Sequence, residues 1–440
     1  MTKLALAVHR TFHSVSHSRN FRLFFAGQIV SVTGTWMQSV AAAWLVLKIT
    51  GSGVALGVQM ALNFGPIIVL GAWAGLLADR VDKRRILVAT QSAFAVQAIA
   101  LWALVASGVV TLADVYLLTL LQGIVTAIDM PARQSFYAEM VGTEHLTNAV
   151  SLNSAVMTGT RIVGPALAGL LIATVGLGPC FLINGISYLA VIAGLLAMRA
   201  GELHRLSGPH GGRGQLRAGL SYVWRTPELR RPLAWMALVF TFSFNFSVLF
   251  PLLARRALHG DAGTYAALLS TMGMGSLTGA LVMARQATPS ARRLALAAMG
   301  FGALSMIAAI TPTLATELIA MFPLGFIGMV FMITGNTTLQ LTADPPMRGR
   351  VMALYGIVFL GGTPVGAPIA GWLAEQLGPR SAIGIGGALA VTTGAIGLWT
   401  LAGRGLPVRR ARRPSGEVVS MPVSEGAMDA ELATDDSVRA

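Results

Sequence analysis

Charge is scarce in this sequence. Asp, Glu, Lys and Arg make up 11% of its 440 residues, against 54% hydrophobic, whereas a soluble chain carries about a quarter charged residues. An ordinary water-soluble domain is excluded. Cysteine is rarer still: Cys180 stands alone, so no disulfide can form within the chain. Lys3, Lys48 and Lys83 are the only lysines, and none follows a glycine. A G-x-x-x-x-G-K phosphate loop is therefore missing. ATP-driven work by this chain alone is excluded on that basis, which leaves an ion gradient, of protons first, as the drive. The first 22 residues hold basic and polar side chains but no apolar core with a cleavage site. No cleavable leader is expected, and the first apolar run serves as the signal itself. Clustered nucleophiles, bases and metal ligands are missing too, so the sequence reads as no enzyme, with no cofactor and no metal. His9, His13 and His17 share a face at i, i+4 spacing, but with no Cys or acid beside them they read as a surface face.

What the chain has is long apolar runs. Ile86 to Gly108 and Leu233 to Leu253 carry no charge, and a helix needs about 20 such residues to cross roughly 30 Å of hydrocarbon. Strands of a barrel would be shorter and would alternate. Twelve spans are expected, at about 22–46, 53–78, 86–107, 111–129, 149–174, 180–199, 232–254, 263–284, 293–312, 316–340, 351–377 and 380–401. With the N-terminus cytoplasmic, 27 of the 32 Lys and Arg fall on the inner side. Lys48, Arg255, Arg256 and Arg380 fall outside, and Arg161 falls within the membrane. This bias places both termini in the cytoplasm. It also accounts for the formal charge of +14 without nucleic acid. The segment 200–231 carries Leu216, Leu220, Val223 and Trp224 at helical spacing with Arg217, Arg225 and Arg230 among them. It reads as an amphipathic helix on the inner leaflet. The tail, 403–440, ends in a polar, acidic stretch without periodicity and is expected to be disordered.

The chain also repeats itself. At a constant shift of 202 residues, Val156, Gly159, Gly164, Ala168, Gly169, Leu171 and Gly176 meet Val358, Gly361, Gly366, Ala370, Gly371, Leu373 and Gly378. Gly75 and Leu77 similarly meet Gly279 and Leu281, at a shift of 204. The expected fold is an all-α polytopic membrane protein of twelve transmembrane helices in two six-helix pseudo-symmetric halves. Residues 1–199 form one half, 200–231 a linker and 232–402 the other half. Parallel repeats of this kind belong to transporters that hold substrate between the halves near the midplane.

At the turn after the second span the sequence reads "LLADRVDKRRIL". Gly75, Leu77, Ala78, Asp79, Arg80, Lys83 and Arg84 resemble the signature G-x-L-a-D-R-x-G-R-[KR] of the major facilitator superfamily, with Asp82 where the signature has its second Gly. "DMPARQSFYAEMV", "NAVSLNSAVMTGTRIVGPALAGLL" and "MRGRVMALYGIVFLGGTPVGAPIAGWLAE" resemble its drug:proton antiporter branch, which holds macrolide and enterobactin exporters. The likeness runs from residue 20 to about 400. It implies a cytoplasmic latch in which Asp79 accepts hydrogen bonds at the N-terminus of span 11, where the helix dipole is positive. Gly75 would allow close approach, and Arg348 and Arg350 would be further partners. Span 5 resembles the branch's antiporter motif through Arg161, Gly164, Pro165 and Gly169; plain helix packing is the alternative.

Arg161 lies near mid-membrane, where an Arg costs about 2.5–3.5 kcal/mol on insertion scales; it faces either a cavity or loosened carbonyls. No acid is expected in the middle of a span. Asp129, at the inner end of span 4, is the coupling candidate, and the superfamily's span 4 Arg would fall at Thr119 and is missing. The superfamily lines its cavity with spans 1, 4, 7 and 10, which implies Trp36, Gln38, Gln122, Asn336 and Asn245 with Phe242 and the neighbouring Phe240, Phe244, Phe246 and Phe250; Arg161 of span 5 is expected to join them. Such an aromatic cavity suits bulky amphipathic ligands. The expected function is secondary active export of hydrophobic or amphipathic small molecules by alternating access, as proton-coupled antiport of the multidrug or siderophore type. The expected place is a bacterial inner (plasma) membrane, and the partners are substrate, protons and lipid, with the chain a monomer. A lysophospholipid or lipid transporter of the same fold is the alternative, and a non-transporting receptor or scaffold a further one.

Overall fold

The structure is a computed structural model and describes residues 18–204, 215–286 and 289–402. The histidine face at 9–17 and the tail at 403–440 lie outside those residues. Twelve helices are long and apolar enough to cross a membrane: α1 (Arg19–Thr50), α2 (Gly53–Arg80), α3 (Lys83–Ala106), α4 (Leu112–Gly142), α5 (Glu144–Thr174), α6 (Gly178–Leu196), α7 (Pro227–Ala257), α8 (Ala262–Gln286), α9 (Ala291–Ile310), α10 (Leu314–Thr342), α11 (Arg348–Leu377) and α12 (Pro379–Ala402). Among the described residues there is no strand. Local chemistry sets many of the ends. Ser52, Thr111 and Ser290 accept from backbone N–H groups one turn into α2, α4 and α9, which satisfies donors that a helix start leaves free. Gly51, at φ 65°, ends α1 in the left-handed region that glycine enters without strain.

Two stretches differ from the sequence expectation. Residues 130–148 do not form a connecting loop. α4 runs on through Pro131 to Gly142, which turns at φ 72°, and α5 starts at Glu144. The charges that suggested a loop have partners inside the protein: Arg133 binds Asp129, and Glu139 binds Lys83. α7 starts at Pro227 rather than 232, and it is broken. Helical geometry stops at Phe242, resumes at Phe246 and ends in a π-helical turn at Leu253–Ala257. Backbone freed by such a break needs partners in a membrane. The Asn245 amide donates to the Thr241 carbonyl at 2.7 Å, and Ser243 Oγ donates to the Gly386 carbonyl at 2.7 Å. The surface helix between the halves is present over Gln215–Arg225, with Leu220 and Trp224 exposed and Val223 buried. Tyr222 fixes it to Asp344 at 2.9 Å.

The repeat is visible as packing. A Cβ at Gly164 would lie 2.5 Å from Trp36 Cβ on α1, and one at Gly366 would lie 1.6 Å from the Thr241 carbonyl on α7. Likewise Gly169 of α5 abuts Ala266 on α8, and Gly371 of α11 abuts the Gly53 carbonyl on α2. Each half thus uses one glycine of its fifth helix to seat that helix on its own first helix. A second glycine crosses to the other half. The cross-half contacts gather toward one face. There a Cβ at Gly57 would lie 2.5 Å from Pro368 Cα, and Ser270 donates to the Ile162 carbonyl at 3.0 Å. Toward the other face, at Gly75, Gly349 and Gly356, a Cβ would meet nothing within 4 Å. The halves are joined at one face and parted at the face that carries the 81–82 turn.

Candidate functional site

Between the halves lies a cavity of about 430 Å³, within the range of small-molecule sites. α7 contributes Phe240, Phe244 and Phe246, α9 contributes Phe301 and α11 contributes Phe359. These rings order one another: Phe244 stacks on Phe301 at 4.4 Å and 10°, and Phe359 meets Phe240 edge-on at 5.1 Å. The N-terminal half contributes Trp36, Phe64, Met157 and Arg161. Arg161 is the only charged residue in the lining. Its guanidinium sits 5.2 Å from the Trp36 ring centroid, a cation–π distance. Among the described residues no hydrogen bond or ion pair engages it. Gly164, one turn on, lets α5 press against α1 at Trp36, and this close approach places Arg161 over the indole.

Besides the neighbouring Phe240, Phe244 and Phe246, the structure brings three of the seven expected lining residues to this cavity. Trp36, Arg161 and Asn245 line the cavity; Phe242, Gln38, Gln122 and Asn336 do not. The backbone of Phe242 packs toward Gly386 instead. Gln38 and Gln122 line a separate cavity of about 20 Å³ with Gln59, Gln97 and Thr119, large enough for one water. Gln38 is held there by Gln97 at 3.0 Å and Asn184 at 2.7 Å. Asn336 accepts from Gln340 at 2.7 Å. Phe64, Phe301 and Phe359 were missed. A phenylalanine in an apolar run carries no sign of whether it faces lipid, core or cavity.

A second polar site lies inside the N-terminal half. Asp129 lies near the middle of α4, because that helix runs on past the expected inner end of span 4, and it is buried. Its Oδ1 accepts from Thr90 at 2.7 Å and from Gln91 at 2.9 Å, both on α3. Its Oδ2 accepts from Arg133 at 2.7 Å. Arg133 also donates to Gln28 on α1 and lies 5.9 Å from the Phe24 ring centroid. Gln28 Nε2 and Gln91 Oε1 remain buried without a partner. Arg133 was missed because it was counted with the charges of an inner loop. Its i, i+4 spacing from Asp129 was the signal that could have found it.

The residues of the 75–84 motif are not gathered with α11. Asp79 and Arg80 are exposed, and no hydrogen bond or ion pair engages Asp79 among the described residues. Lys83 binds Glu139 at 2.6 Å, and Arg84 donates to the Leu195 and Leu196 carbonyls at 2.7 and 3.0 Å. Arg348 is exposed, and Arg350 reaches Met347 Sδ at 3.1 Å. Asp82 needs no positive φ: at φ −55° it caps α3, accepting from Arg85 N at 3.0 Å. The polar closure lies on the opposite face and was not expected. Glu375, at the end of α11, accepts from Ser52 Oγ and from Val54 N at 3.2 Å, at the N-terminus of α2. Arg255 and Arg256 donate to the Leu47 and Gly51 carbonyls at the C-terminus of α1. An acid meets a helix N-terminus and bases meet a helix C-terminus, the favourable pairing with each dipole.

A family model described as transmembrane secretion effector matches residues 11–412. The multidrug efflux pump Tap of Mycolicibacterium fortuitum is 29% identical over 379 residues, 81% of this chain and 89% of that protein. The staphyloferrin A transporter of Staphylococcus aureus is 24% identical over 263 residues, 60% of this chain and 66% of that protein. The match thus spans just under two thirds of that relative's length. Among solved structures, a POT peptide transporter matches with a TM-score of 0.72 at 12% identity, over 88% of this chain and 95% of that one. A bacterial homologue of the human lysosomal transporter Spinster, solved inward-facing and unoccupied, matches with a TM-score of 0.65 at 16% identity, over 88% and 96%. At these identities the structures speak for the fold.

Proposed function

This chain belongs to the transmembrane secretion effector family of the major facilitator superfamily, and from that premise we propose that it is a secondary active exporter of hydrophobic or amphipathic small molecules. In this reading it works as a monomer in a bacterial plasma membrane, by antiport with protons. Relatives named as efflux pumps support export over uptake. The excess of bases on one side supports cytoplasmic termini. The parted face is then the cytoplasmic one. The observation that carries the reading is the aromatic cavity between halves parted there and tied together on the far side by Glu375, Arg255 and Arg256. An exporter collects cargo in this state.

In the same reading Asp129 carries the coupling proton. Ionised, it holds Arg133 and the two α3 donors, and so ties α1, α3 and α4 together through Gln28. Protonated, it loses the ion pair, and that network must rearrange. The coupling site and the cavity are separate, so proton and cargo act on each other through the packing of the N-terminal half. In the outward-open state Gly75 and Asp79 would meet the start of α11, with Arg348 and Arg350, and close the cytoplasmic side. A protonophore should stop export from cells whose ATP is held constant, and an imposed proton gradient should raise it in proteoliposomes. Transport indifferent to both pH gradient and membrane potential would overturn the antiport reading.

A further inference from the structure

We propose that the cargo class is an amphipathic carboxylate: a flat apolar body seated among the phenylalanines, with its anionic group on Arg161. The inference rests on the exporter reading and deepens it. Three observations carry it together. First, the guanidinium lines the cavity and has no hydrogen-bond acceptor or acid among the described residues; it lies over the Trp36 ring at 5.2 Å. A cation–π contact leaves all five N–H donors open, in the planar fork that matches a carboxylate. Second, no acid lines the cavity, and Asp129, the buried acid of this half, is already bound by Thr90, Gln91 and Arg133. Among the described residues the protein therefore supplies no counter-ion of its own. Third, the other wall is aromatic and sulfur-rich: Phe240, Phe244, Phe301 and Phe359 with Met329 and Met332. Stacked rings and flexible thioethers favour flat or irregular apolar bodies.

The arrangement divides recognition between the halves. The anionic head is held by α5 of the N-terminal half and the body by α7, α9, α10 and α11 of the C-terminal half. With the halves parted, water can serve the guanidinium. When the parted face closes over the cargo, water leaves, and an unpaired cation in low dielectric becomes costly. A carboxylate removes that cost, and a cationic cargo raises it. Charge selection is therefore strongest at the step of occlusion, where it governs transport as well as binding. An electrical consequence follows. An anion leaving and a proton entering move charge in the same sense, so a negative interior drives both.

The test uses purified full-length protein and matched probes: 1-naphthylacetate, its neutral amide, 1-naphthylethylammonium and plain acetate, each titrated by calorimetry. Naphthylacetate should bind at least about tenfold tighter than the ammonium probe and than acetate; tenfold corresponds to about 1.4 kcal/mol. Arg161→Gln should abolish the preference over the cation, and Arg161→Lys should keep its sign at reduced size. Equal binding of anion and cation by the wild type overturns the proposal whether or not the variants fold. So does acetate binding as well as naphthylacetate, a preference that survives in Arg161→Gln, or no binding of naphthylacetate at millimolar concentration. Vesicle transport separates this proposal from the exporter reading. Charge-selective binding with no export under any gradient removes the exporter reading alone, while export that ignores cargo charge removes this proposal alone.

Discussion

Asp129 and Arg133 have a different standing from the other charged residues of the chain. Both are held inside a helix bundle: Thr90 and Gln91 of α3 donate to Asp129, and Gln28 of α1 accepts from Arg133. Removing one partner of such a pair leaves the other charge uncompensated, a loss of about 3–5 kcal/mol. Asp129→Asn keeps the shape and a carbonyl acceptor for Thr90 and Gln91, but it cannot take up a proton. Export driven by a proton gradient should fall at least about tenfold in this variant, while cargo exchange without a gradient continues. Both rates are read in the same proteoliposomes. Exchange lost in step with driven export would make Asp129 a structural residue. Arg161 contrasts with this pair: among the described residues its cation has a ring and a cavity beside it but no acid.

At the scale of elements, glycine and helix ends decide where the halves touch. Gly53, Gly57 and Gly371 bring α2 and α11 into backbone contact on the closed face, the close approach that small residues permit in a membrane. Glu375 then sits at the N-terminus of α2, bound to Ser52 and Val54. Hydrogen bonds to a charged group are worth about 1.5–3 kcal/mol. Glu375→Gln keeps one acceptor oxygen and removes the charge, so the closed face should open more often. In a Cys180→Ala background with one spin label on each half beside this closure, the population of the long distance should rise by about five- to tenfold over the parent. An unchanged distance distribution would show that glycine packing alone holds the face shut. The sharp break of α7 belongs to the same scale. Gly366 and Gly386 leave room for it, Asn245 bonds the freed Thr241 carbonyl, and Ser243 ties the break to the Gly386 carbonyl on α12. Phe244 is turned into the cavity there.

For the whole molecule, alternating access requires two closures of opposite placement, and the structure holds only one of them. Asp79 and Gly75 stand open in this state, so a substitution at Asp79 costs the present state little. It should act on the other one. Asp79→Asn should leave expression and thermal stability within about 1 kcal/mol of wild type. It should also shift the population toward the state seen here and lower export strongly. Normal export by well-expressed Asp79→Asn protein would remove the latch from the mechanism. Gly75→Leu should be more severe, because a Cβ that meets nothing now would meet α11 on closure.

The sequence by itself determined the membrane, the twelve spans, the two-fold repeat and the family. Each of these depends on local composition or on a fixed spacing: about 20 apolar residues to a span, a shift of 202 between the halves, the motif from Gly75 to Arg84. It also marked Arg161 as costly and Asp129 as the acid to watch. Only the tertiary structure decided which side chains share a space. Gln38 and Gln122 look like cavity polars in the sequence, yet they turn into a small cavity apart from the aromatic one between the halves. The pairing of Arg133 with Asp129 and Gln28, and of Glu375 with the start of α2, depends on helices far apart in the chain. No periodicity encodes such partners. The face of a helix that meets a neighbour is set by packing, and in an apolar run every face looks alike.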